Sequence, residues 1–302
     1  MQTTRNRRGR RASARPIWAR LGACAPGLYL AACGLAAADE ARLTAATRAA
    51  LGQKIELTYT VTGIGLPILS AEFTIDLARD RYEATSVIKT EGIAGLLMQS
   101  RWDTRAEGAV TPAGLRPARF RADVATSRGR GAVTVAWSGG DYRISAIPEN
   151  RPERVAALRG KLEGGLPDPL TAIIATALTS VDRPCRGTQR VFDGRRIFDL
   201  GFSFDQAVEI RGAPHYNGYA YRCSLRHVPI AGQPPEEIAR EQASPSPSHA
   251  MWLAPVRLGA SGASVLIPVR IDLAADWGRT TVFLTASSID GQPIASARTA
   301  SK

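Results

Sequence analysis

Histidine, cysteine and carboxylate side chains are the groups of this 302-residue chain that could do chemistry. The three histidines, His215, His227 and His249, do not have the spacing of metal ligands, and the sequence contains no CxxC motif. It also lacks a G-x-S-x-G elbow, an H-E-x-x-H motif and a P-loop. Asp and Glu are spread along the chain from residue 39 onward, and whether two of them meet is a spatial question. We therefore expect a protein that is not an enzyme, with no cofactor and no metal site.

The first 38 residues have the organisation of an export signal. They contain seven arginines and no acid, then an apolar stretch over residues 21–35, and then Ala36-Ala37-Ala38, which fits an A-x-A cleavage site. The apolar stretch is shorter than the roughly 20 residues that a membrane-spanning helix needs. The prediction is a signal peptide at 1–38 and a mature periplasmic chain at 39–302 without a transmembrane span.

A second interpretation of the N-terminus stays open. The sequence LAACG at residues 30–34 resembles a bacterial lipobox, in which Cys33 would be acylated and would become the first residue of the mature protein. The protein would then be a lipoprotein anchored to a membrane through Cys33.

Export also changes the charge of the protein. Removing seven arginines and no acid lowers the formal net charge from +12 to +5. The remaining arginines are dispersed and the whole chain has only four lysines, whereas a nucleic-acid-binding protein groups its cations on one face or helix. We therefore expect no nucleic-acid partner. A basic face that contacts anionic lipid headgroups remains the functional alternative to a compositional bias.

Cys185 and Cys223 are the cysteines that remain in the predicted mature chain. An even number of cysteines in an oxidising compartment favours a disulfide. Closing the loop between them would stabilise the fold by about 4 kcal/mol in the chain-entropy description. Two buried free thiols are the less favoured alternative.

Alternation of apolar and polar residues is the dominant pattern of the mature chain. In residues 54–62, Ile55, Leu57, Tyr59 and Val61 alternate with polar residues, as in a strand with one solvated face. Further strands are predicted at 69–77, 82–89, 115–124, 132–137, 142–147, 190–192, 196–204, 220–228, 265–273 and 280–287. The short connections between these segments predict antiparallel pairing rather than βαβ units.

Two apolar helices are expected among the strands. Asp168 is a good N-cap with Pro169 at the first helical position, and the residues from there to Leu178 are apolar on nearly every side. Such a helix has to be covered on nearly every side, so the sheet must curve around it. The second apolar segment spans 92–99 and is either a core-packing turn or a flap over a ligand cavity.

The predicted fold is therefore mainly β. We expect an antiparallel curved sheet or half-open barrel with one or two apolar helices packed in its concave side, as a single domain. Residues 233–249 are rich in Pro and Ser and are expected to form an exposed loop, and residues 291–302 a frayed tail. Asp193-Gly194, between two strand-like segments, predicts a type I′ hairpin turn and a structural role for Asp193.

Several motifs resemble a known family. They are DPLTA at 168–172, VFDGRRIFDL at 191–200, YRC at 221–223, PIAG at 229–232 and IPV at 267–269, together with Cys185. This set resembles the exported bacterial family catalogued as domain of unknown function 3108, over residues 55–284 or so. The resemblance implies no known activity, so it supports the fold and the compartment rather than a function.

Two functions are consistent with these features. The first is the binding of a lipid or another hydrophobic or amphiphilic envelope molecule, without chemistry, in a cavity of the curved sheet; its candidate contacts are Ile93, Leu96, Leu97, Trp102 and Ile173. The second is a scaffold or assembly protein that binds another envelope protein through a sheet edge or an exposed loop. A tightly packed interior would favour the scaffold, and a lined pocket beside an apolar helix would favour the binding protein.

Overall fold

The structure is a computed structural model of the chain. It describes residues 43–162, 165–179, 181–211, 213, 215–243, 249–258, 263–275 and 278–294. The strands of the described part are β1 Gln53–Gly63, β2 Leu66–Leu77, β3 Arg81–Thr90, β4 Ser100–Thr111, β5 Gly114–Thr126, β6 Gly129–Ser138, β7 Asp141–Ile147, β8 Gly187–Phe192, β9 Ile197–Ile210, β10 Gly218–Ala231, β11 His249–Arg257, β12 Ser264–Ala275, β13 Gly278–Ile289 and β14 Gln292–Pro293. The helices are α1 Ala45–Ala50, α2 Gly92–Leu97, α3 Pro152–Leu158, α4 Pro169–Ala177 and α5 Pro235–Ala243.

All fourteen strands belong to one antiparallel sheet. Its order is β7-β6-β5-β4-β3-β2-β1-β13-β12-β11-β10-β9-β8, and β14 pairs with β13. Two meanders, β1 to β7 and β8 to β13, are therefore joined where β1 pairs with β13. This confirms the prediction of a mainly β, antiparallel fold.

Alternating side chains explain why these segments form strands with one buried face. In β1, Ile55, Leu57, Tyr59 and Val61 are buried, and the residues between them are half-exposed. Burying this apolar row is the favourable step, because each fully buried large aliphatic side chain contributes about 1.5–3 kcal/mol.

Two strands have no such signal in the sequence. In β4 the buried positions include Ser100, which is polar, and Ala106, which is small, so they give no clear apolar alternation. In β11 both faces are covered, so the apolar residues follow one another without alternation. A sheet of this width therefore contains more strands than alternation alone predicts.

The sheet curves strongly around α4. The helix contacts β3, β4 and β5 on one side and β8 and β12 on the other. Five strands lie between β5 and β12, so a flat sheet would hold those two about 29 Å apart. An α-helix is only about 10–12 Å across, and it reaches both strands because the sheet wraps around it. The helix thus lies in the concave side of the sheet, as predicted.

The sheet is not closed into a barrel, because β7 and β8 lie at opposite ends of its strand order. Their edges are connected instead by the turn between β8 and β9. Arg195 Nη2 donates to the carbonyl oxygens of Ile147 (3.1 Å), the last residue of β7, and of Pro148 (3.0 Å), the residue after it. Asn150 Nδ2 donates to the Gly194 carbonyl oxygen over 3.1 Å. We call residues 193–196 the latch turn.

The latch turn differs from the predicted type I′ geometry. Asp193 and Arg196 form the closing pair, with a 3.1 Å bond from Asp193 N to Arg196 O, so Gly194 and Arg195 are the central residues. Only Gly194 has a positive φ, of 88°, which is the pattern of a type II′ turn. Asp193 Oδ1 accepts from the backbone N–H groups of Arg195 and Arg196, and this fixes the turn.

The segment predicted as an exposed loop contains a helix. Within 233–249, α5 has no buried residue, which agrees with exposure, but Pro235 at its start and two glutamates in its first turn favour helix there. In the predicted tail, Gln292 and Pro293 pair with β13.

Residues 1–38, including Cys33, lie outside the described residues. No helix in the described part of the chain is long and apolar enough to cross a membrane.

Candidate functional site

A cavity of about 350 Å³ lies between α4 and the concave face of the sheet. Its walls come from strands that are distant in sequence, because β1 and β2 belong to the first meander and β11, β12 and β13 to the second. The principal lining residues are Ile55, Leu57, Tyr59 and Val61 of β1, Leu69, Ala71, Phe73, Ile75 and Leu77 of β2, Ile88 of β3, Met251 of β11, Val265, Leu266, Ile267, Pro268, Ile271 and Leu273 of β12, Thr280 and Val282 of β13, and Ile173, Ile174, Ala177 and Leu178 of α4 and its C-cap.

The cavity leaves one side of α4 uncovered. Leu170, Ala172, Ile174 and Leu178 are buried, as an apolar helix requires, but Ile173 is 41 % exposed. Ile173 is a cavity-lining residue. The sequence pattern predicted cover on nearly every side of this helix, and the exception is the side that faces the cavity.

A buried polar cluster holds the start of α4 in place. Asp168 caps the helix by accepting from Thr171 N (3.0 Å) and from Thr171 Oγ1 (2.5 Å). The Thr171 hydroxyl also lies 2.6 Å from the Tyr82 hydroxyl of β3. Burial raises the pKa of the Asp168 carboxyl group and also that of the Tyr82 hydroxyl. These bonds tie the helix to the first meander through groups that no longer contact solvent.

The walls of the cavity present almost only carbon. Among the lining residues, Tyr59 and Thr280 carry hydroxyl groups. Tyr59 Oη donates to the Pro268 carbonyl oxygen over 2.9 Å, and burial raises the pKa of this phenol. Its polar atom is therefore already satisfied by the protein. Such a surface gives a polar ligand atom few hydrogen-bond partners, so it favours apolar ligands.

One end of the cavity lies at the end of the sheet that carries the β1–β2 turn at residues 64–65, because the paired lining residues Val61 and Leu69 lie there. We call this end of the sheet the mouth end. Lining residues far from this turn, such as Ile55, Leu77 and Val265, are buried. Lining residues close to it, such as Leu69 and Ile88, are half-buried. Burial at the mouth end is therefore mixed, because the lining residues Val61 and Thr280, which also lie there, are buried.

The Cys185–Cys223 disulfide expected from the sequence is present, with the two Cα atoms 5.7 Å apart. It joins the segment after α4 to β10. The two cysteines pack with Met251, Leu253 and Leu266 in an apolar cluster separate from the main core. Met251 and Leu266 also line the cavity, so the disulfide lies directly behind one of its walls.

The residues proposed from the sequence as ligand contacts do not all lie together. Ile173 lines the cavity. Trp102 is paired with the lining residue Ile88 across β3 and β4, so it lies on the same face of the sheet, one strand beyond the lining residues. Leu96 is 86 % exposed on α2 and is not a lining residue. The side chains of Ile93 and Leu97 lie outside the described residues.

The sequence reasoning missed most of the cavity wall. The inward positions of β1, β2, β12 and β13 supply it. Their alternation identifies which residues face inward, but only the pairing of β1 with β13 brings the two groups together.

The histidines take part in local structure. His249 Nδ1 accepts from Ala274 N over 3.1 Å, and the His227 ring packs on Phe198 with 4.9 Å between ring centroids. Burial lowers the pKa of both imidazoles. In the described ranges, no group of three or more His, Cys, Asp or Glu side chains is arranged to hold a metal ion.

Comparison with known proteins identifies a family and solved structures that are similar to this chain. A family model described as "Protein of unknown function (DUF3108)" matches residues 56–285. No curated protein matches the chain significantly. A crystal structure of a beta-barrel-like protein of domain of unknown function DUF1849 from Brucella abortus is similar, with 9 % sequence identity and a TM-score of 0.47, covering 79 % of this chain and 98 % of that one.

Proposed function

The chain belongs to the DUF3108 family, whose description assigns no function, and we propose that it binds a hydrophobic or amphiphilic molecule in the cavity beside α4 without transforming it. The ligand class is set by the cavity. Each methylene group that moves from water into such a site contributes about 0.8 kcal/mol. The cavity volume, about 350 Å³, falls within the range of roughly 300–1,000 Å³ that is usual for small-molecule sites.

One observation carries this proposal: Ile173 is 41 % exposed on a helix whose other large apolar residues are buried, and it lines an apolar cavity. An apolar ligand would cover Ile173 and complete the burial of α4. Because Tyr59 Oη is already bonded to Pro268, the inner walls give a polar headgroup no obvious partner. A molecule with an apolar chain and a polar end would therefore place its chain inside and its polar end at the mouth end.

We further propose that the protein acts in the cell envelope, in the periplasm, after removal of the signal peptide at 1–38. The Cys185–Cys223 disulfide and the lack of a membrane-spanning helix in the described residues are compatible with an exported protein. Disulfides persist in oxidising compartments and are rare in the cytosol. Acylation at Cys33 is the alternative for the N-terminus; intact-mass measurement of the exported protein distinguishes a start at Asp39 from an acylated start at Cys33.

The binding proposal is tested by titrating the protein with a fluorescent fatty-acid probe. Ile173→Asp places a carboxylate against the cavity and should weaken probe binding by more than about tenfold, because a charge in an apolar site has to be desolvated. Val155→Asp is the matched control: Val155 is a helical, branched side chain with 46 % exposure outside this cavity. It should bind the probe as the wild type does.

A second variant separates cavity filling from charge. Ala177 lines the cavity from α4, and Ala177→Phe would fill part of the volume with an apolar ring. It should also weaken probe binding while the circular dichroism spectrum stays that of the wild type. If the wild type takes up no probe, or if both cavity variants bind it normally, the proposal is wrong.

The alternative is a scaffold that binds another envelope protein, and the edge strand β7 is the observation in its favour. Every second residue of β7 is exposed, and in the described part of the chain only β6 pairs with it. An extended peptide could add to such an edge. A protein that captures no lipid probe but loses a binding partner when β7 receives a proline would have this function instead.

A further inference from the structure

Exposed apolar side chains are concentrated at the mouth end. Nine large apolar side chains in the described part of the chain are exposed, and four of them lie at this end of the sheet. These four are Ile64, Leu66, Leu96 and Met98, with exposures of 81, 56, 86 and 49 %. We call them the apolar rim. Such a group on a protein surface marks an interaction site more often than single scattered residues do.

The β1–β2 turn and α2 lie next to each other, so their rim residues form one patch. Glu91 N donates to the Ile68 carbonyl oxygen over 2.9 Å, and this bond places the start of α2 beside the start of β2. A Cβ at Gly92 would be 3.2 Å from the Pro67 carbonyl oxygen. Ile64 and Leu66 precede this contact in the chain, and Leu96 and Met98 follow it.

A basic turn adjoins the same patch. Ser127 N donates to the Gln99 carbonyl oxygen over 2.9 Å, so the β5–β6 turn lies beside the residue that follows Met98. This turn carries Arg128, and Arg130 follows it at the start of β6. Both are exposed, and neither forms an ion pair with any described residue. The nearby carboxylate of Glu91 is already bonded to Ser70 and paired with Lys89. The free charge next to the rim is therefore positive.

From this arrangement we infer that the mouth end docks on the surface of an anionic phospholipid bilayer. Ile64, Leu66 and Leu96 would enter the boundary between headgroups and acyl chains, where apolar side chains lose their contact with water. Arg128 and Arg130 would lie at the level of the phosphates, each contributing attraction to the negatively charged surface. The inference rests on the proposed function in one respect: an entrance to the cavity at this end would let an acyl chain pass between bilayer and cavity without crossing water.

Flotation of the purified protein with vesicles tests this docking. Wild-type protein should float with vesicles of phosphatidylethanolamine and phosphatidylglycerol, and much less with vesicles of phosphatidylcholine alone. The double variant Leu66→Ser/Leu96→Ser should lose flotation with both. The double variant Arg128→Glu/Arg130→Glu should bind anionic vesicles about tenfold more weakly, because two side chains attracted to the anionic surface are replaced by two that are repelled by it.

The matched control removes exposed apolar side chains elsewhere. Val155→Ser/Tyr219→Ser changes two residues with 46 and 54 % exposure outside the rim, and it should float like the wild type. Flotation that is absent in the wild type, or unchanged in both the Leu66/Leu96 and the Arg128/Arg130 variants, overturns the inference. A rim that binds another protein instead of a membrane would give that result.

Probe titration without vesicles separates this inference from the proposed function. Rim variants that bind the fatty-acid probe normally but do not float support docking as a separate step. Wild-type protein that floats but takes up no probe would support docking and contradict cavity binding. Protein that takes up the probe but does not float would support cavity binding and contradict docking.

Discussion

At the scale of single residues, Asp168 is a buried carboxyl group that caps α4, the helix that lines the cavity. Its carboxylate caps α4 and accepts from Thr171, but it is fully buried, and burial raises its pKa. A carboxyl group whose pKa is higher in the folded state binds its proton more tightly there than in the unfolded chain. The protonation of Asp168 therefore adds to the free energy of unfolding. This contribution is complete below the pKa of the unfolded chain and is lost as the pH rises through the pKa of the folded state.

The variant Asp168→Asn tests the direction of this dependence of stability on pH. The amide keeps an oxygen that can accept from Thr171 N but cannot ionise. The stability of the wild type relative to the variant should be greater at pH 4 than at pH 7, because only the wild type has to bury a charge at neutral pH. Urea unfolding of both proteins at the two pH values measures this difference. The effects of the other carboxylates on stability cancel, because both proteins contain them. A difference that is independent of pH would contradict the prediction.

Gly194 is the second residue whose role the structure makes specific. A side chain there would overlap Val133 and lie 3.1 Å from Val135 Cγ2, so Gly194→Ala should destabilise the protein by about 1–3 kcal/mol beyond its backbone strain. Gly187 is the matched control, because its φ of 100° is also positive but a Cβ there would meet nothing within 4 Å. We expect the melting temperature of Gly194→Ala to lie several degrees below that of Gly187→Ala.

At the scale of elements, the sequence predicts best what is decided locally. The alternation in β1 identifies a strand, and Asp168-Pro169 identifies the start of α4, because both signals lie within a few residues. Strand β4 could not be found in this way, since its buried positions include Ser100 and Ala106. The one-sided alternation that works for β1 fails where a neighbouring element covers both faces or where small residues fill the core.

The candidate site was predictable only in part, for the same reason. Ile173 could be named because it belongs to an apolar helix with clear local signals. The facing wall depends on β1 pairing with β13, in which Ile55 lies opposite Ile289, and no local pattern specifies contacts between residues so distant in sequence. The same applies to the latch turn, whose type depends on its packing against β6.

The disulfide is a constraint at the scale of elements, because it ties the segment after α4 to β10. Replacing both Cys185 and Cys223 with Ser should lower the free energy of unfolding by about 2–4 kcal/mol, since the loop of 38 residues regains its freedom in the unfolded chain. Thermal unfolding of the variant, compared with the wild type, measures the loss. Because Met251 and Leu266 pack on the cysteines and line the cavity, probe affinity should fall as well.

At the scale of the whole molecule, residues of two separate apolar clusters meet at the cavity. Ile55, Leu57 and Ile174 belong to the main core, whereas Met251 and Leu266 belong to the disulfide cluster, and all five line the cavity. Protein interiors are normally packed as densely as organic crystals, so an unfilled space of this size forgoes contacts that the fold could have made. A ligand that fills the space would restore those contacts and link the two clusters.

Ligand binding should therefore stabilise the whole fold. A ligand present at a hundred times its dissociation constant adds about 2.7 kcal/mol to the free energy of unfolding if it binds only the folded state. For a domain of this size, this corresponds to a rise in melting temperature of roughly 5–10 °C. Palmitate added to the wild type should give such a rise, and differential scanning calorimetry measures it. Ala177→Phe should respond much less, because its phenyl ring already occupies part of the cavity. An equal rise in both proteins would mean that palmitate stabilises the fold from another site.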